Sequence, residues 1–107
     1  DVFETFLTDE ETGESCLHWA AYGGHLGVAR LLLDKGGERL LMMQNAGRFT
    51  CLHEASTHGH IDVARMLAER GGERLLAMRT LNGSTCLHEA CGKGHLDVSR
   101  MLLEKGG

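Results

Sequence analysis

Seven histidines and four cysteines are the residues of this chain best suited to chemistry, as metal ligands or as a thiol nucleophile beside an imidazole base. Their spacing is regular: Cys16, Cys51 and Cys86 each precede a histidine (His18, His53, His88) by two positions. On a helix two positions turn side chains about 200° apart, so thiol and imidazole face away from each other and cannot exchange a proton. Helices packed side by side sit roughly 10 Å apart, beyond the ~7 Å that an unstrained disulfide spans. These cysteines are therefore expected to stay thiols, and Cys91, just past Cys86, is no better placed. Free thiols point to a reducing, intracellular compartment. His58 matches no repeated histidine, since its counterparts are Gly23 and Lys93; beside His60 it could form only a weak metal site and reads first as a surface residue. The Gly-Gly-Glu-Arg strings lack the Gly-Lys-Ser/Thr ending that grips a nucleotide and follow a helix rather than a strand. Asp62 and Asp97 open helices, where acids favour the dipole, and form no catalytic pair. No catalytic residue, metal site or cofactor is expected.

The elements that carry these residues come in three copies. Ser15-Cys16-Leu17-His18-Trp19-Ala20 aligns with Thr50-Cys51-Leu52-His53-Glu54-Ala55 and Thr85-Cys86-Leu87-His88-Glu89-Ala90 at a spacing of 35. Gly24-His25-Leu26, Gly59-His60-Ile61 and Gly94-His95-Leu96 keep that register, and Gly-Gly-Glu-Arg-Leu-Leu recurs at 36–41 and 71–76. Ser15, Thr50 and Thr85 read as N-caps of helices that stop at Gly24, Gly59 and Gly94. Second helices run from Leu26 to about Lys35, Ile61 to Arg70 and Leu96 to Lys105, each with a basic last turn before Gly-Gly. A two-turn helix is unstable alone in water, so each pair must bury its apolar side against the next.

Composition agrees with one small folded domain: 107 residues, 42% hydrophobic, 24% charged. The longest apolar runs, such as 40–43, are far short of the ~20 residues a bilayer needs, so no membrane span is expected. The net charge of −4 is uneven: Asp1, Glu4, Asp9, Glu10, Glu11 and Glu14 precede any base, leaving nine acids against eleven bases. That balance gives no reason to expect nucleic acid as the partner, whereas an acidic edge favours a basic patch on a protein.

Thr85-Cys86-Leu87-His88-Glu89-Ala90, followed by Gly94-His95-Leu96-Asp97-Val98 and Met101-Leu102-Leu103-Glu104-Lys105-Gly106, resembles the ankyrin repeat with its Thr-Pro-Leu-His-x-Ala signature. The likeness covers essentially the whole chain. It departs in two ways: Cys16, Cys51 and Cys86 replace the family's proline, and the period is 35 rather than about 33. The extra residues are expected to add a helical turn in the Gly-Gly-Glu-Arg-Leu-Leu connection. The resemblance implies an all-α solenoid of stacked helix-turn-helix units joined by short hairpin-like connections. Its repeats would span about 10–44, 45–79 and 80–107 of a single domain, 1–107, with 1–9 the tail of a preceding unit. Asp1 and Glu4 have capping-box spacing, so that tail is expected to begin with a helical turn. The last unit keeps Met101, Leu102 and Leu103 without a clear polar cap, so a longer array is expected.

The resemblance further implies that His18, His53 and His88 brace neighbouring loops by hydrogen bonds to backbone, and that His25, His60 and His95 belong to the turn between helices. It implies a non-enzymatic monomer that binds another protein through the concave face of hairpin tips and first helices. The alternative is a structural spacer. Positions where the units differ would carry the contact: Glu11, Thr12, Glu14, Trp19 and Tyr22; Ala46, Arg48, Phe49, Glu54, Thr57 and His58; Leu81, Asn82, Ser84, Glu89 and Lys93, with Gly23 and Gly92 beside them. Trp19 and Tyr22, three apart on one helix, are expected to share a face with Phe49. Arg48 aligns with Gly13 and Gly83, so the second loop is expected to bend differently, at Gly47.

Overall fold

A computed structural model of the chain describes residues 7–9 and 11–106; the helical turn expected at Asp1 lies outside them. Among the described residues from Cys16 onward, six helices follow in three pairs: α1 Cys16–Gly23 with α2 Leu26–Leu41, α3 Cys51–Thr57 with α4 Ile61–Leu76, and α5 Cys86–Gly92 with α6 Leu96–Gly106. The first helices α1, α3 and α5 stack on one side, and the second helices α2, α4 and α6 stack on the other. Among the described residues the extended structure is a single isolated bridge between Thr8 and Ser15.

Equivalent positions of successive pairs form the core. Leu17 and Leu52 are buried in the first-helix layer, where Ala20, Ala55 and Ala90 give the backbones room to approach. Ala29, Leu33, Val63, Ala64, Leu67, Val98 and Leu102 close the second-helix layer. Burying a leucine of this kind contributes roughly 1.5–3 kcal/mol, which short helices need because their own hydrogen bonds do not hold them.

The 35-residue period has a local cause. In α2 the helix breaks at Gly37 (φ 64°, ψ −158°) and resumes, and α4 does the same at Gly72 (φ 60°, ψ −157°). Only glycine adopts this conformation at low cost. The resumed turn buries Leu40 and Leu41 in one copy and Leu75 in the next, so the connection carries the extra helical turn.

The tips between units are tight turns that bond to one another. Asn45 N–H donates to the Phe49 carbonyl (3.1 Å) and Thr80 N–H to that of Ser84 (2.9 Å). Between tips, Ala46 N–H donates to the Thr12 carbonyl (2.9 Å) and Leu81 N–H to that of Gly47 (2.8 Å). At the second tip the residue with positive φ is Arg48 (63°), matching Gly13 (73°) and Gly83 (83°). The bend at Gly47 expected from sequence is therefore incorrect. Asn45 holds Arg48 in the glycine conformation: its side-chain oxygen accepts from Gly47 N–H and Phe49 N–H, and its carbonyl accepts from Arg48 N–H.

Candidate interaction surface

The repeated histidines are framework. Thr50 N–H donates to His53 Nδ1 (3.1 Å), and the Thr50 hydroxyl both accepts from His53 N–H and lies 2.8 Å from Nδ1. A backbone N–H can only donate, so Nδ1 accepts and the ring proton sits on Nε2. That Nε2–H donates across 31 residues to the Ser84 carbonyl (3.2 Å), as His18 Nε2–H does to Phe49 (2.8 Å). His88 makes the capping contact with Thr85 alone. The brace role is thus borne out for His18 and His53. The second contact, a histidine standing where a capping box carries Glu or Gln, was not foreseen. Ser/Thr-x-x-His is its signal in the sequence. His60 and His95 reach back from the second helices to donate to the carbonyls of Tyr22 (2.8 Å) and Thr57 (2.9 Å).

The cysteines are not placed for nucleophilic chemistry. All four are free. Burial pushes the Cys51 thiol up to about 12 and Cys86 to about 11, and Cys51 Sγ donates to the Leu41 carbonyl (3.4 Å). Burial also holds the His53 imidazole below its ordinary value, against the opposing pull of the Ser84 carbonyl. A protonated thiol and a neutral imidazole do not make an activated pair. Among the described residues no three His, Cys, Asp or Glu side chains are placed to hold a metal, and no helix is long and apolar enough to cross a membrane. The clefts are open grooves, such as that between α4 and α6 lined by Ile61, Arg65, Asp97, Arg100, Met101 and Glu104.

The variable positions lie along the tips and the outer side of the first helices. Glu11, Thr12, Ala46, Arg48, His58, Leu81, Asn82 and Lys93 are exposed, as are Gly23 and Gly92. Glu14, Phe49, Glu54, Thr57, Ser84 and Glu89 are partly buried. Trp19 is 61% exposed and Tyr22 49%, and their rings meet edge-on at 6.1 Å. The third ring in this group is His58, 4.1 Å from Tyr22. The Phe49 ring packs against His53 at 5.6 Å. Thr57 and Ser84 also serve the framework: the Thr57 hydroxyl donates to the His53 carbonyl, and the Ser84 carbonyl takes the His53 bond.

Electrostatically this surface has two ends. Burial first, then the charges of Glu14 and Glu89, pushes the Glu54 carboxyl up to about 7. At the other ends of the helices, burial and then the positive potential of His60, Lys93 and His95 hold His58 below its ordinary value. Apolar side chains are exposed on the second-helix side as well, at Val28, Leu31, Leu96 and Leu103. Only Leu103 was singled out from sequence, because the others follow the helical spacing of core positions.

With this geometry in hand, the comparisons are specific. The family model described as ankyrin repeats (3 copies) matches residues 2–76, and that described as ankyrin repeats (many copies) matches 52–103. No curated protein matches the chain. Three capped helix pairs in register, braced by their histidines and matched by these models over most of the length, show that the chain belongs to the ankyrin-repeat family.

Proposed function

We propose that the chain binds another protein through the concave face formed by its tips and first helices, with Trp19 and Tyr22 at the centre. Ankyrin repeats are generally protein–protein interaction modules and generally non-enzymatic. The observation that carries the reading is the exposed aromatic pair. Two of the chain's five aromatic residues stand out from a helix whose opposite side is fully buried. Exposed Trp and Tyr on a rigid support are the residues that dominate binding energy at interfaces. The buried, protonated Cys51 and Cys86 thiols support a non-catalytic role, and four free cysteines fit a reducing, intracellular setting.

The test is partner capture by wild type and by the Trp19→Ala/Tyr22→Ala variant, with identification of what is retained. Binding is expected to weaken by ~2 kcal/mol or more, roughly thirtyfold, at an unchanged unfolding midpoint. Identical partners at identical affinity would favour a spacer.

A further inference from the structure

The surface proposed above sets carboxylates beside its exposed aromatic pair. Trp19, Glu54 and Glu89 occupy the same position in α1, α3 and α5, and these helices pack in that order. They therefore form one line across the stack, with Glu14 at the foot of the first helix. Glu14 accepts a hydrogen bond from Asn45 Nδ2 (2.6 Å). Glu54, in the middle, is partly buried between two other acids. The ion pairs among the described residues lie elsewhere: Asp34–Arg70, Glu38–Arg74 and Glu69–Lys105 all join second helices and their extensions. The face's own cations, Arg48, Arg79 and Lys93, sit on the second tip, on the third tip, where Arg79 donates to the Gly83 carbonyl, and at the far end of α5.

Resting on the concave-face reading, we propose that the occupant is a basic segment of a partner protein, with a Lys or Arg side chain over Trp19 and between Glu14 and Glu54. Carboxylates alone would be an ordinary solvated edge. The exposed aromatic pair beside them makes the surface a docking site, because an aromatic face and a carboxylate attract the same cation. A half-buried acid with acids on both sides also gains more from an incoming cation than one already paired. The same line repels phosphate, so nucleic acid and anionic lipid are disfavoured. Glu54, whose carboxyl is pushed up to about 7 by burial, Glu14 and Glu89, would lose its proton as the cation arrives.

Trp19 is the only tryptophan, so its emission reports on the site directly. The probes are two short acetylated peptides, alternating Ala-Arg and alternating Ala-Glu, titrated at physiological ionic strength. The Arg peptide is expected to change Trp19 emission saturably, and the Glu peptide to leave it unaltered. Glu54→Gln should weaken the Arg peptide at least about fivefold without lowering the unfolding midpoint. Wild-type affinity should fall as pH drops through 7, and that step should be missing in Glu54→Gln. Equal response to both peptides, no response to either, or an unchanged affinity in Glu54→Gln overturns the proposal. If a protein partner is lost in Trp19→Ala while the Arg peptide never saturates, the concave-face reading stands and the basic segment falls. If Trp19→Ala loses no partner, both fall.

Discussion

His53 and Glu54 are neighbours in α3, and burial pushes both toward the neutral form: the imidazole below its ordinary value, the carboxyl up to about 7. What differs is the compensation. His53 is buried with both ring nitrogens bonded, one to the N-cap and one to the next tip. Glu54 has Glu14 and Glu89 on either side and, among the described residues, no ion-pair partner. One helical position thus separates an imidazole bonded at both ring nitrogens from a half-buried carboxyl that lacks such compensation. A domain tolerates such a carboxyl where it serves binding, at some cost in stability.

Substitutions can break or sharpen this contrast. The largest effect is expected from Leu52→Ala, which empties the centre of the stack and should cost ~2–5 kcal/mol in urea unfolding. His53→Ala should follow at about 2–3 kcal/mol, because it strands the Thr50 N–H and the Ser84 carbonyl. The histidine also has a pH signature. Its native pKa lies below 6.5, so the unfolded chain takes up a proton first as pH falls. Its contribution is complete above pH 6.5 and lost as pH drops toward the native value; in His53→Ala this decline should flatten.

Glu54→Gln should act in the opposite direction. The native carboxyl, at about 7 against 4.5 for the free group, keeps its proton where the unfolded chain has released it. Stability from this group is present below pH 4.5 and lost as pH rises through 7. Glutamine avoids the loss, so the variant should gain roughly 1 kcal/mol above pH 7, after solvent screening of a partly exposed group is allowed for. No gain should remain near pH 4. Arg48→Gly should add about 0.5–1 kcal/mol, the relief of a left-handed non-glycine residue less the added freedom of the unfolded chain. Paired thermal melts would show it.

What was legible in the sequence follows the same division. Caps at Ser15, Thr50 and Thr85, the stacked core and the added turn after Gly37 could be read because each rests on local spacing or on repetition. Features made by the bonding of a particular tip, or by residues distant in sequence, could not. Arg48 takes its conformation from the bonds of Asn45 and an exposed tip, so an alignment with glycines suggested a different bend. Phe49 packs on His53, four residues on, where the chain passes from the tip into the helix. The state of Glu54 depends first on its burial and then on Glu14 and Glu89, brought beside it from the flanking units.

Urea unfolding of Trp19→Ala beside His53→Ala tests the separation of framework from face most directly. Trp19→Ala should stay within about 0.5 kcal/mol of wild type, while His53→Ala loses several times that. Comparable losses in the two variants would show that Trp19 belongs to the core and that this face is not free to bind.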